Sequence, residues 1–516
     1  FDATAIEIAD DVMFTGAVPD LSVTGDVVIT LRDIDPRSLI NILATGDVTI
    51  LSPKNPAVDD LTGGGALRVG QIVTGQIDDT GLPTGGDFGD VVIDSYYGIQ
   101  QAPGGNSRII AGTVELYADR GSVDVTVDTA ADGTGGVVAQ ASGNISITEA
   151  RGDLLLISPD GDGPSISTST DVYLTTLDGS VIDAIEERPA GRVSRELEAA
   201  LLPHSVVDAG TVTERVNVRA RNLTIQSDAD VGTVLGLTTI ESPFGGRSLS
   251  DTKLQVMSLA TADDIAAIHY RQYEYLGPTA TYDLSAEGLF GNSGLWRAVT
   301  GSAPDLSTEV GMSEVTTGQI VEDRRDLVSV TLRTRDAVDI DLSGSLAVSA
   351  GGHAALTSIG SLSVETGQKA VRGVTVSGDL YLGSGQDITV NTSETSSHAL
   401  VSGGSMSLRA AGDITGAFVS GAYEALTVGA AGSFYATAGG DAYLASLAGD
   451  LTVGRVEAAG LVSVSVSGGQ ILDSVATGDT GRSRLVGTEL WLALSDATGS
   501  VGSSASPLVI DTERLR

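Results

Sequence analysis

Four histidines, His204, His269, His353 and His398, are the only imidazoles in this chain of 516 residues. A serine nucleophile would need one of them, held in turn by a carboxylate. The run Gly291-Asn292-Ser293-Gly294 is the kind of tight segment that presents a nucleophile, but no histidine stands in a pattern that pairs with Ser293. His269 lies beside Asp264 and Tyr273 on a segment of helical spacing, where a structural role is expected. The absence of cysteine removes thiol catalysis, disulfides and thiolate metal sites together, and no HExxH, Walker, GxSxG or CxxC motif occurs. The best acid pair is Asp339 and Asp341 in DAVDIDLSG, which strand alternation puts on one outward face. Paired acids on a strand face could cleave glycosidic bonds. The plainer reading is a solvated strand exterior, because the surrounding repeats carry few aromatic platforms for sugars. No enzymatic activity is expected.

Two further motifs have bland readings. Arg151-Gly152-Asp153 spells the integrin-type tripeptide, yet Gly152-Asp153 also belongs to a Gly-Asp phrase that recurs along the whole chain. GGDFGDVVID from Gly85 approaches the calcium nonapeptide GGxGxDxUx, with one glycine out of place and in a single copy where stacked copies must share ligands. With 67 acidic against 29 basic residues the formal charge is −38, which repels nucleic acid and anionic lipid. The acids are spread along turns. They read first as a solvated surface, with weak calcium binding as the alternative and no other cofactor expected. The strongest candidate for partner binding is a cluster of six aromatics, Tyr270, Tyr273, Tyr275, Tyr282, Phe290 and Trp296, in a chain that is only 4% aromatic. Contiguous exposed aromatics mark interaction sites, so part of this group is expected at the surface.

The elements that must carry these residues are set by a repeated phrase. GDLYL at Gly378, GDITG at Gly412, GSFYA at Gly432 and GDLTV at Gly449 each combine a glycine turn with alternating aliphatics, and LVSVSVS follows from Leu461. Period-two alternation gives strands with one buried side. A turn every 18 to 20 residues, as from Gly360 to Gly378, is too short for a closed domain and suits one coil of a solenoid that buries its apolar side by stacking. The 66 glycines and scarce aromatics fit a narrow core of Val, Ile, Leu and Ala. The predicted fold is therefore all-β, a parallel β-helix (β-solenoid) with two short helical insertions.

In chain order, coils are expected over 1–182, with a Gly/Pro-rich loop near 53–89, then over 205–260 and 301–516. The first insertion, 183–204, contains RVSRELEAALL from Arg192, with Val193, Leu197, Ala200 and Leu201 at helical spacing and Pro203 to end it. The second, 261–300, opens with a helix over Ala262–Leu276, capped by Thr261 and stopped by Gly277-Pro278, its apolar stripe formed by Ile265, Ile268, Tyr273 and Leu276. A longer period overlies the coils. DGSVIDA at Asp178 matches GGQILDS at Gly468, putting Asp183 in register with Asp473, and NLTIQSDADVG at Asn222 matches LWLALSDATGSVG at Leu490. This suggests a module of roughly 290 residues.

These phrases, together with DATGSVGSSASPLVIDTERL from Asp496, resemble the repeats of filamentous-haemagglutinin-like large exoproteins, the adhesins of two-partner secretion. The resemblance covers most of the chain outside the two insertions and rests on repeat style. It implies a right-handed parallel β-helix, export by a bacterium to the cell surface or beyond, and adhesion or matrix building. The partners it implies are other surface or matrix components, or host or neighbouring cells. No run of 18 apolar residues suggests a transmembrane helix. Setting the insertions aside leaves material for about 22 coils and a rod of roughly 100 Å at ~4.8 Å per coil. Both ends read as unfinished coils, so continuation of the same polypeptide or end-to-end association is expected.

Overall fold

The computed structural model describes residues 5–8, 21–23, 26–30, 39–53, 66–75, 88–103, 107–129, 135–158, 163–185, 216–241, 262–286, 288–300, 304–365, 373–391, 400–419, 422–446, 449–474, 484–495, 499–502 and 507–516. Among these residues thirty-six strands join in one sheet that winds as a parallel β-solenoid. The alternation read from the sequence is its cause. In Val91–Ser95 and Ile145–Glu149 every second side chain is buried, and the aliphatics of successive coils stack into one continuous core.

One ladder runs the length of the solenoid through Leu21–Val23, Leu39–Ala44, Leu67–Val73, Arg108–Ile110, Val123–Asp128, Ile145–Glu149, Asp171–Thr176 and Asn222–Ser227. It continues through Ser345–Ala350, Val374–Val376, Leu400–Ser402, Leu426–Ala430, Ala442–Ser446, Leu461–Val466, Leu485–Leu494 and Ile510–Leu515. At ~4.8 Å per rung these strands span roughly 75 Å. That is fewer rungs and a shorter rod than the spacing of turn glycines suggests, because many coils are longer than 20 residues. Bonds between successive coils link residues 26 and 28 apart as well as 20 apart.

The Gly-Asp phrase has a specific structural meaning. The carboxylate of each turn aspartate accepts the backbone N–H of the equivalent residue one coil on. Asp26 Oδ1 takes Asp47 N at 3.0 Å, Asp47 takes Asp90 N at 2.8 Å and Asp90 takes Thr113 N at 2.9 Å. Farther along, Asp387 takes Asp413 N, Asp413 takes Asp441 N and Asp441 takes Leu461 N, at 2.7 to 2.8 Å. Where the donating residue follows a glycine, as Asp413 follows Gly412 and Asp441 follows Gly440, that glycine makes room for the same bond. A Cβ on Gly412 or Gly440 would overlap Oδ1 of Asp387 or Asp413, the carboxylate arriving from the preceding coil. Glycine admits the acid behind it and aspartate holds the coil ahead. His353 serves in the same ladder, donating its N–H to Asp230 Oδ1 at 2.6 Å while its Nδ1 accepts Asp379 N at 2.8 Å.

Three sequence expectations are corrected. The segment Leu67–Val73, inside the loop expected near 53–89, is a rung of the ladder, with Leu67, Val69, Ile72 and Val73 buried. The helix expected over Ala262–Leu276 is a strand, Ala262–Tyr275, paired antiparallel with Ile320–Asp336. The second insertion extends beyond 300: residues 233–336 leave and rejoin the rod at Thr233 and Asp336, which pair with each other, and coils resume at Val338. The helix expected from Arg192 lies outside the described residues.

The matched blocks near Asp183 and Asp473 occupy equivalent places. Val181–Asp183 and Ile471–Asp473 are short rungs, bridged in parallel by Val231 and Val501. Gly232 and Gly502, both at positive φ, follow those bridges and donate their N–H to Val181 O and Ile471 O.

Candidate functional site

The inserted segment 233–336 builds an antiparallel sheet in the order Thr233–Glu241, Ile320–Asp336, Ala262–Tyr275, Trp296–Val299, with Leu306–Ser307 against Ile320–Asp336. Ala280–Asp283 and Met312–Val315 pair as a separate two-stranded sheet within the insertion. Its aromatics form a core of their own. Tyr275 and Trp296 are buried with Leu284, Val315 and Val321, and Tyr273, Tyr282 and Phe290 pack around them half-buried. Tyr273 stacks on Phe290 at 4.3 Å, and the rings of Tyr275 and Phe290 each lie 4.9 Å from Trp296. Tyr275 Oη donates to Pro278 O at 2.8 Å and lies 3.1 Å from Tyr282 Oη. The hydrogen bond with Tyr282, reinforced by burial, pushes the Tyr275 phenol up to about 12.

Five of the six aromatics expected as a partner-binding patch are thus brought together, but around a buried centre instead of on an open face. Tyr270 lies on the same strand, half-buried, paired with Leu327. The Tyr275→Phe variant is expected to cost about 1 kcal/mol through loss of the bond to Pro278, read as faster hydrogen exchange in 262–300 with unchanged exchange in the rod.

The other candidates resolve individually. Asp341 pairs with Arg219 at 3.0 Å, while Asp339 is buried and its N–H donates to Asn217 Oδ1; the two acids do not converge on an open surface. Asn292 Oδ1 accepts Gly294 N, closing the turn around Ser293. His269 is exposed on its strand, and His204 and His398 lie outside the described residues. The arginine of the RGD tripeptide reaches inward to Asp128, and Asp153 Oδ1 accepts Ser180 N at 2.8 Å. In GGDFGDVVID, Asp90 is a member of the turn ladder.

A group missed in the sequence lies beside that arginine. Glu149 and Asp128 are fully buried. Glu149 accepts Thr129 Oγ1 at 2.8 Å, Thr129 N at 3.2 Å and Ala150 N at 3.1 Å. Burial pushes its carboxyl up to about 7; the Thr129 bonds oppose the shift and the charge of Asp128 adds to it. Asp128 Oδ2 binds Arg151 at 2.7 Å and lies 3.7 Å from Arg108, and its Oδ1 accepts no hydrogen bond from the described residues. The signal was present in ISITE, where Glu149 shares the inward phase of Ile145 and Ile147.

Among the described residues no group of three or more His, Cys, Asp or Glu side chains is placed to hold a metal ion, and no helix is long and apolar enough to cross a membrane. No family model, curated protein or solved structure matches the chain.

Proposed function

We propose that this chain is the rod segment of a large protein exported by a bacterium to its surface or surroundings, where it mediates attachment or builds matrix. The observation that carries this reading is the ladder itself. It continues across the 233–336 insertion without a break, Leu223 pairing directly with Leu346. A solenoid that keeps its register while extruding a separately cored sheet is organised as a shaft bearing an appendage. Repeat style supports the same reading through its resemblance to exported adhesins.

The test is attachment of beads coated with residues 1–516 to bacterial and epithelial surfaces, beside beads carrying the chain with 233–336 replaced by a two-residue link. Attachment by the full chain above uncoated beads is expected, and equal background for both chains would defeat the adhesive reading. A calcium-dependent rod is disfavoured because the turn carboxylates are already engaged with backbone N–H groups. The melting temperature is accordingly expected to be the same in EDTA and in millimolar calcium.

A further inference from the structure

The rungs Leu426–Ala430, Ala442–Ser446, Leu461–Val466 and Leu485–Leu494 stack in parallel near the carboxyl-terminal end of the rod. Ala442, Leu444, Val462, Val464 and Leu490 point into the core, so the opposite phase faces outward. In that phase Tyr443 is in register with Ser463, and Ser463 with Trp491. Beside this row, Ala445, Ser465 and Ala493 form a second row of small residues. Tyr423 extends the aromatic row on the other side, its ring 6.3 Å from that of Tyr443. Tyr423 and Trp491 are 48% and 41% exposed, the largest aromatic exposures among the described residues.

The ladder fixes the geometry. Two rungs at ~4.8 Å separate Tyr443 from Trp491 by roughly 10 Å along the rod axis, with only the serine hydroxyl between them. Trp491 is held in place, donating Nε1–H to Glu489 Oε1 at 3.0 Å with the Arg516 guanidinium 5.7 Å from its ring. The result is a shallow track in which Tyr443 and Trp491 stand two rungs apart and Tyr423 adjoins Tyr443, with a row of small side chains beside them and hydroxyl and carboxylate groups at its rim.

We infer that this track, Tyr423, Tyr443 and Trp491 with Ser463 and Glu489 at its edge, binds an uncharged β-linked glycan lying along the rod. Pyranose rings with equatorial hydroxyls offer apolar C–H faces that stack on aromatic rings, while their rims exchange hydrogen bonds with Ser463 and Glu489. An extended β-linked chain presents equivalent faces at the interval of a disaccharide, which the two-rung spacing matches. The formal charge of −38 disfavours acidic polymers. The assignment deepens the adhesive reading and rests on it for biological purpose, though not for binding itself.

The chain reports on this site directly, because it has two tryptophans and the other, Trp296, is buried in the inserted sheet. Titrating residues 1–516 with cellohexaose or chitohexaose is expected to shift tryptophan emission to the blue. Calorimetry is expected to show binding roughly three- to tenfold weaker for each of Tyr443→Ala and Trp491→Ala, with melting temperatures unchanged. The inference is overturned if neither oligosaccharide binds at millimolar concentration, if the double variant binds as tightly as the parent, or if a polygalacturonate hexamer binds more tightly than both. Surface attachment without oligosaccharide binding would remove the track and leave the adhesive reading. Oligosaccharide binding without attachment would do the reverse.

Discussion

Gly440→Ala is expected to cost about 3 kcal/mol, yet less than about 1 kcal/mol when Asp413 has first been replaced by alanine. The new Cβ would overlap Asp413 Oδ1 and press on Asp413 Cγ, while the backbone carbonyl carbon of Gly412 stands at ordinary contact distance. In the parent, that carboxylate accepts Asp441 N at 2.7 Å, so moving it aside sacrifices a hydrogen bond to a charged group as well as relieving the overlap. Asp413→Ala alone is expected to cost about 2 kcal/mol from the same bond. The coupling between the two sites is therefore about 2 kcal/mol or more. A solenoid does not melt as one two-state unit, so the measurement is hydrogen exchange in the rungs Met406–Ala410, Phe434–Ala438 and Ala442–Ser446. Additive costs would refute the mutual dependence of glycine and acid.

That dependence marks where sequence reading stops. The glycine turns and the period-two aliphatics were legible because both are local: GDLYL and GDLTV predict the strands Leu380–Ser384 and Leu451–Ala458 by themselves, although GDITG holds only an isolated bridge at Ile414. The reason for pairing glycine with aspartate was not legible, since it appears only when Asp387, Asp413 and Asp441 are superposed on consecutive coils.

The helix expected over Ala262–Leu276 failed for an identifiable reason. The register against Ile320–Asp336 shifts between Ala262 and Asp264, between Ile265 and Ala267, and on both sides of Tyr270. At the first two shifts the extra residue lies on this strand, which breaks its two-residue alternation and leaves the step of three from Ile265 to Ile268 that reads as helical; at Tyr270 the extra residues lie on Ile320–Asp336. The aromatic cluster was legible as an unusual concentration, but sequence cannot say whether such a cluster faces solvent or itself. Tyr275 and Trp296 face inward because the inserted sheet, separate from the coils, requires a core of its own. Conversely, Tyr443 and Trp491 lie 48 residues apart in a low-aromatic stretch and become neighbours only through Ser463.

Glu149→Gln is expected to leave stability unchanged near pH 4 and to raise it by about 3 kcal/mol at pH 8, relative to the parent. In the folded chain burial holds the carboxyl near 7, against 4.5 for an unhindered glutamate. Folding then favours the protonated form. Stability associated with Glu149 is fully present below about pH 4.5, declines as pH rises toward 7, and beyond that the buried side chain is ionised in both states with no further slope. Glutamine reproduces the shape of the protonated acid: one oxygen continues to accept Thr129 N and Ala150 N, and the amide faces Thr129 Oγ1, which can turn to accept. The difference between variant and parent isolates this group from the many other carboxylates, including Asp128, whose ion pair with Arg151 is common to both proteins. Hydrogen exchange of Val123–Asp128 and Ile145–Glu149 at a series of pH values, corrected for intrinsic rates, measures it. A variant-minus-parent difference that stays flat from pH 5 to 8 would mean that Glu149 remains ionised in the folded rod and that its three hydrogen bonds outweigh its burial.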